Sequence, residues 1–509
     1  MKVKQLFTAI FISLFFVSLT STIWAQTESG ETDLDENLRL TVGTFANYMY
    51  NYDMLANQGQ TKSLYETSMI RAEYNTNLFD VVIEGTMNND DRYDGGDEQQ
   101  YLFGRYFLME AGYTDLKLGP FNIRLGRSNQ SDAVDNPYSI YINSEDIPKM
   151  QADVSYEGNM FFYRTRWVSL NSDSNQYYTG YQDEVHWEDR GMNYKVYGVN
   201  VGDWRFGFQD SVVYLDQEFD PEYFLNPIPM YLIQIINSNE GRPWGEYGNV
   251  KSQMGFFAER TREGDYGSAQ IMIDDLNGNF LPTVENQQNL TKMAWSIGGR
   301  KDFPFGTVGA YHAGATKYTF QATYAEESYD DAVPGDAVDI HYNYYPYEYT
   351  YYPVSVYKLE NGDSMPLHYT ENYIGYKYGE NNIAFMVDYE NSFTKSLIGP
   401  FSLYSSLEWI LNGSKAPNNP WHEGHNTSVS DMNVLLLDGT IEQVVVNTTR
   451  FSKPLGGFNF NIDLILGGRF NAMTLDQPVE NEAYIFYPQA GKNEPIAELR
   501  IGGTYTWDF

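Results

Sequence analysis

The sequence predicts an all-β chain, a transmembrane antiparallel up-and-down β-barrel of about 18 strands, within a range of about 16 to 20, with short periplasmic turns and long extracellular loops. Three observations carry this reading. Apolar and polar residues alternate over segment after segment of about ten residues, the length a strand needs to cross a bilayer. Tight turns and long acidic loops take turns along the chain, which sorts them to opposite ends of the strands. After residue 25 no stretch holds 18 consecutive apolar residues, so no helical span competes with the strands.

The N-terminus is read as an export signal. Lys2 and Lys4 form a basic start, Leu6 to Leu19 is almost continuously apolar, and Thr22-Ile-Trp-Ala25 offers a cleavage point before Gln26. Residues 26–37 are then a polar, acidic periplasmic lead-in, and 38–509 is the barrel. Strand-like segments follow at 38–50, 64–74, 78–87, 102–117, 120–127, 148–157, 160–170, 193–201, 204–214, 248–258, 266–275, 291–301 and 308–324. In 120–127, Phe121, Ile123 and Leu125 share one face, and Asn122, Arg124 and Gly126 the other. In 204–214, Trp204, Phe206, Phe208, Val212 and Tyr214 make an apolar face broken only by Asp210.

The tight connections are Asn75-Thr-Asn77, Gly119-Pro120, Glu157-Gly-Asn159 and Gly202-Asp203, all turn chemistry. The long ones are 88–99, 128–147, 171–192, 215–247 and 276–290. With the first strand running up from the periplasm, every tight turn is periplasmic and every long loop external. Counting back from the C-terminus gives 457–468, 440–451, 400–411, 381–390 and 369–378 as strands, and the two counts disagree by one strand. Either a strand near 431–437 precedes Asp438-Gly439, or the tyrosine-rich 349–358 is itself a strand. Loop 325–368 is left open as a possible plug.

The last strand, 497–509, places Leu499, Ile501, Gly503, Tyr505, Trp507 and Phe509 on one face. Tyr505, Trp507 and the terminal Phe509 resemble the signal that hands outer-membrane barrels to their insertion machinery. They are the expected membrane-insertion strand, with outer-membrane lipid as its surroundings.

Composition narrows the function. There is no cysteine, which excludes disulfides and thiol chemistry. Mean hydropathy is −0.48, a value that barrels reach because lumen residues dilute the lipid-facing ones. Aromatics make up 16% of the chain, with 44 Tyr and 30 Phe, enough for two girdles and aromatic loops. The net charge is −35, and losing Lys2 and Lys4 with the signal takes it to −37. Such a field repels nucleic acid, so nucleic-acid partners are excluded.

Catalytic and metal readings find little. The chain has six histidines, and His422-Glu-Gly-His425 has i, i+3 spacing where a zinc-protease helix needs i, i+4. Gly362-Asp-Ser364 lacks the strand-to-helix elbow of a serine hydrolase. The cluster of Asp90, Asp91, Asp94, Asp97 and Glu98 matches no EF-hand spacing and reads as a solvated external loop. No enzyme activity, cofactor or metal site is expected. The strongest binding feature is 341–353, with seven tyrosines in thirteen residues. Tyr344, Tyr345, Tyr347, Tyr349, Tyr351 and Tyr352, with Trp244 and Trp421 in other loops, offer flat faces for stacking on sugar rings. The competing reading has these rings packing the barrel mouth or its girdle.

Several segments also resemble the bacterial capsule-assembly Wzi family of outer-membrane barrels. Trp204-Arg-Phe-Gly-Phe-Gln-Asp-Ser-Val-Val-Tyr214 leads into Tyr223-Phe-Leu-Asn-Pro227, then Arg242-Pro-Trp-Gly245 and Met254-Gly-Phe-Phe-Ala-Glu259. Gly119 to Arg127, Ile271 to Asp275 and Asn419-Pro-Trp421 fit the same order, while Ser128-Asn-Gln-Ser131 replaces a Trp-Gly-Pro-Gly-type turn. The resemblance implies a barrel of about 18 strands that acts as a lectin, anchoring capsular or exopolysaccharide through its external loops without turning it over. The alternative is a general or cation-preferring diffusion porin, its selectivity set by Asp463, Asp388, Glu390 and Glu408 on inward faces.

Overall fold

The computed structural model describes residues 36–50, 63–90, 105–143, 148–171, 189–215, 217–237, 250–275, 291–321, 326–329, 340–343, 348–352, 356–358, 364–366, 372–416, 436–476 and 485–509. Eighteen strands form one closed antiparallel sheet in which each strand pairs with its neighbours in the chain. The first nine are β1 (Asn37–Tyr50), β2 (Leu64–Asn75), β3 (Phe79–Asn88), β4 (Tyr106–Leu118), β5 (Phe121–Ser128), β6 (Lys149–Glu157), β7 (Phe161–Asn171), β8 (Arg190–Val201) and β9 (Trp204–Leu215). The wall continues with β10 (Val250–Arg262), β11 (Asp265–Asp275), β12 (Lys292–Phe303) and β13 (Gly306–Ala315). Between β13 and the next wall strand lie two short hairpins, β14 (Glu326–Tyr329) with β15 (Ile340–Asn343) and β16 (Val356–Lys358) with β17 (Ser364–Pro366). The wall resumes with β18 (Asn382–Phe393), β19 (Phe401–Asn412), β20 (Glu442–Leu455) and β21 (Phe458–Phe470). The hairpin of β22 (Met473–Asp476) and β23 (Ile485–Pro488) precedes β24 (Asn493–Asp508), the last wall strand.

Closure is made by β24 against β1, in register from Arg39 opposite Asp508 to Tyr50 opposite Ala497. The terminal residue completes it, since the Phe509 amide donates to the Leu38 carbonyl at 2.8 Å. A closed ladder leaves no strand edge unpaired, the condition for placing strands in hydrocarbon.

The two faces separate as the alternation requires. Ile70, Phe256, Val387, Leu407 and Leu466 are 47 to 59% exposed although each sits mid-strand, which is the lipid-facing belt. Phe121 and Leu125 on β5, and Tyr505, Trp507 and Phe509 at the C-terminus, belong to the same exposed outer face. The inner face carries charge. Arg71 reaches Glu73 and Glu84 at 2.5 Å each, Lys117 reaches Asp80 at 2.7 Å, and Arg124 clamps Asp115 with two bonds of 2.7 Å. Charged groups on a wall that faces lipid outside therefore line a wet interior. The chain is an outer-membrane β-barrel.

The periplasmic turns follow from the residues that make them. Gly119 at φ 64° precedes Pro120, the positive-then-negative order of a two-residue hairpin whose first position only glycine occupies without strain. At 75–79 the Thr76 hydroxyl accepts from the amides of Leu78 and Phe79 at 3.1 and 2.8 Å and holds the turn without a glycine.

The strand count resolves the disagreement left by the sequence. Neither 349–358 nor the described end of 431–437 enters the wall. The surplus segment is 369–378, whose described residues 372–378 lie inside the barrel. The strand expected at 308–324 ends at Ala315, where the chain leaves the wall and turns inward.

Candidate functional site

The interior of the external half is filled with chain. Residues 129–143, expected as an external loop, fold back into the lumen. Residues 316–321, 348–352 and 372–381 pack beside them, and a core of fully buried residues joins these segments to the inner faces of the wall. Tyr138, Ile140, Tyr141 and Ile142 lie at its centre, against Tyr194, Met272, Phe320, Tyr349 and Tyr373.

Asp132 organises the first segment. Its carboxylate accepts from the amides of Ile140 at 2.7 Å, Tyr141 at 3.3 Å and Val134 at 3.5 Å, and from Gln270 Nε2 on β11 at 3.1 Å. One acidic side chain thus closes a loop on itself and ties that loop to the barrel wall. Burial pushes the Asp132 carboxyl up to about 6, while these donors pull in the opposite direction.

The loop spans the lumen. At one side Arg166 of β7 donates to the Ser131 carbonyl at 2.8 Å. At the other, the Tyr138 hydroxyl donates to Glu408 of β19 at 2.6 Å, and burial holds that hydroxyl protonated. The loop also descends far. Arg300 pairs with Asp135 at 2.6 Å and the Tyr266 hydroxyl accepts from the Asp135 amide at 2.8 Å, one residue above the periplasmic start of β11.

The other segments lock onto it. The Tyr349 hydroxyl donates to the Tyr141 carbonyl at 2.6 Å, and the Tyr351 hydroxyl donates to the Asn143 carbonyl. Backbone bonds run from Tyr349 to Phe320 at 2.7 Å and from Tyr351 to Asn372 at 2.7 Å. Arg190, fully buried at the top of β8, donates to the carbonyls of Glu348 and Thr350 at 2.7 and 3.2 Å. Lys251 of β10 pairs with Asp274 at 2.9 Å and also donates to the Gln321 carbonyl.

The remaining described loops are tied in as well. Lys317 pairs with Asp438 at 2.7 Å, and Asn381 donates to the same carboxylate at 2.7 Å. Glu380 accepts from Gln321 at 3.0 Å and from the Ala416 amide at 2.6 Å, while Lys415 donates to its carbonyl. Burial pushes the Glu380 carboxyl up and the Lys415 ammonium down, so the pair is held by its hydrogen bonds more than by full charges.

The residues proposed from sequence fall in several places. Tyr349 and Tyr351 are fully buried in this plug with their hydroxyls engaged, so their rings pack the mouth and offer no open face for stacking. Tyr352 is half-buried, with Lys149 Nζ 4.1 Å from its ring centre. Tyr344, Tyr345, Tyr347, Trp244, Trp421, His422 and His425 lie outside the described residues, as do 1–35 and the acidic cluster from Asp91 to Glu98. Asp90, at the edge of that cluster, accepts from the Tyr106 hydroxyl at 2.7 Å. Among the described residues no group of three metal-ligating side chains converges.

The inward acidic residues do face the lumen, but in company. Glu408 is bonded to Tyr138, and Asp463 lies opposite Arg500 in the register of β21 and β24. Asp153 is held between Arg164 at 3.5 Å and Arg166, and Glu259 pairs with Arg205 at 2.7 Å. These described carboxylates of the inner wall thus stand beside cations or a hydroxyl donor, while Asp388 and Glu390 lie two residues apart on the inward face of β18.

The plug loop escaped the sequence reading. Its signal was present in Tyr138-Ser-Ile-Tyr-Ile142, an apolar run that a water-exposed loop has no use for.

No protein-family model matches the chain, and no curated protein matches it. Solved structures do. The chain is similar to Wzi of Escherichia coli, described as an outer-membrane protein involved in group 1 capsule assembly and a carbohydrate-binding β-barrel. The TM-score is 0.51 and the identity 11%, over 92% of this chain and 83% of that one. It is also similar to OprD of Pseudomonas aeruginosa, with a TM-score of 0.43 and 8% identity over 95% and 96% of the two chains. A BenF-like porin from Pseudomonas fluorescens gives a TM-score of 0.45 and 9% identity over 93% and 99%. At these identities the likeness is one of fold, and the fold shared is the outer-membrane β-barrel.

Proposed function

We propose that this chain is a non-catalytic outer-membrane lectin that holds capsular or exopolysaccharide at the cell surface through its external loops. The observation that supports this is the filled external half of the lumen. A diffusion porin needs a continuous aqueous path, and here Asp132, Tyr138 and Tyr349 tie chain across it. Similarity to a carbohydrate-binding barrel over 92% of the chain points the same way.

In this reading the sugar-binding residues are Tyr344, Tyr345 and Tyr347, which immediately precede the anchored Tyr349 in the sequence, together with Trp244 and Trp421. The second reading, a diffusion porin, draws on the charged inner wall of the periplasmic half.

Glycan-array binding of the detergent-solubilised protein tests the proposal. Retention of acidic or neutral surface glycans, lost by about tenfold or more when Tyr344, Tyr345 and Tyr347 are all changed to Ala, is the expected outcome. An intact, folded barrel that retains no glycan removes the lectin reading.

A further inference from the structure

The loop between β9 and β10 takes a path of its own. It carries two helices, α1 (Pro221–Leu225) and α2 (Met230–Asn237), and it packs on the outer wall of the barrel. Its buried residues form a cluster separate from the plug: Tyr223, Met230 and Ile233 lie against Val212 and Tyr214 of β9. On β9 those two share the face of Trp204 and Phe206, which are exposed toward lipid.

Beneath this hairpin are two charged residues that belong badly on a lipid-facing wall. Lys195 of β8 and Asp210 of β9 stand opposite each other in the strand register, and both are fully buried. The Lys195 ammonium donates to the carbonyls of Asn226 and, at 3.3 Å, Ile228; the Asp210 carboxylate accepts from the Met230 amide at the start of α2. The hairpin therefore supplies backbone partners to both charges. This is what the break in the apolar face at Asp210 signifies, and why the Leu225-Asn226-Pro227 turn follows that strand.

The depth of the contact follows from strand geometry. Asp210 is six residues above Trp204, the periplasmic start of β9. At about 3.3 Å per residue and a tilt of about 40° that is about 15 Å, past the middle of an apolar band about 25 Å tall. The N-terminus of α2 thus lies within the band and not above it. The helix itself, Met-Tyr-Leu-Ile-Gln-Ile-Ile-Asn, has no charged residue, and Tyr231, Leu232, Ile235 and Ile236 are 40 to 46% exposed on the side away from the wall. That apolar side is continuous with the lipid-facing belt of the barrel.

We infer that the α1–α2 hairpin is a re-entrant segment seated in the outer leaflet. Its exposed face binds lipid acyl chains, and the Lys195 and Asp210 charges clasp it to the wall. The hairpin keeps both charges out of hydrocarbon, and lipid in turn covers a helix that water would not. The inference does not depend on the sugar-binding proposal.

The chain has no cysteine, so a single introduced thiol is uniquely labelled. Leu232→Cys and Ile236→Cys, spin-labelled and reconstituted in dimyristoylphosphatidylcholine vesicles, are compared with Leu407→Cys on the belt and Glu263→Cys in a periplasmic turn. The expected result is collision with oxygen exceeding collision with a nickel chelate, as at position 407. Nickel access like that at 263 overturns the inference by placing the hairpin in water. Exclusion of both reagents with dipolar broadening between labels overturns it in favour of a second copy of the chain. The clasp is tested by adding Asp210→Ala to Ile236→Cys, which is expected to raise label mobility and nickel access several-fold. Asp210→Asn retains an acceptor for the Met230 amide and is expected to hold the helix in place. Unchanged mobility and access in Asp210→Ala contradict the clasp, and the depth measurement on the unaltered clasp stands apart from that outcome.

Discussion

Asp132 holds the first of the plug segments closed on itself and against β11. Asp132→Ala leaves the Ile140 and Tyr141 amides buried without an acceptor, at about 1–3 kcal/mol each. The expected outcome is exchange of the 132–143 amides faster by about two orders of magnitude, measured by hydrogen exchange with the barrel strands as internal reference. The pH dependence has a definite sign. Because the folded carboxyl is raised from 3.8 to about 6, the plugged state binds the proton more tightly than the open one. This contribution is fully present below about 4 and is lost as pH rises through about 6, a difference of order 3 kcal/mol. Protection of the Ile140 amide, corrected for intrinsic exchange, should fall over that window, and Asp132→Asn should flatten the dependence. A rise in protection with pH would show that the carboxylate form closes the loop. At this scale the sequence is least legible, since nothing local distinguishes Asp132 from the many acidic residues of solvated loops. Only its Gln270 partner, 138 residues away, makes it a knot.

The wall strands are legible because lipid outside and water inside impose period 2 on each of them. Phe121, Ile123 and Leu125 read as outward from sequence, and Phe121 and Leu125 are among the exposed apolar residues of the fold. Leu407 occupies the same belt at mid-strand, so Leu407→Arg is expected to cost about 2–4 kcal/mol of barrel stability in urea-induced unfolding from lipid vesicles. The inward replacement Ser406→Arg, next to it on β19 and opposite Asp388, is expected to cost much less. Equal costs would mean that the faces are misassigned. Elements that obey other constraints were misread for physical reasons. Segment 372–378 is rich in tyrosine and alternates, yet Tyr373 and Tyr376 bury their rings inside the lumen, where a packed core imposes the same composition as a girdle. Asp210 broke an otherwise clean apolar face because a helix covers it, a tertiary contact that strand periodicity does not contain.

At the scale of the molecule, the barrel is a vessel with a filled external half and a charged, wet vestibule toward the periplasm. Asp135, deep in the lumen yet with its side chain 68% exposed, marks where the plug ends and the vestibule begins. Among the described residues of the inner wall, Arg71, Arg124, Arg166, Arg205 and Arg300 each pair with a carboxylate. In the lectin reading proposed above, an occluded barrel holds a polymer outside the cell and passes no solute through the membrane. Conductance of the purified protein in planar lipid bilayers measures this most directly. The account predicts no stable conductance from the intact chain, with channel openings once residues 132–142 are replaced by a short Gly-Ser linker. Large, steady conductance from the unaltered protein would contradict it.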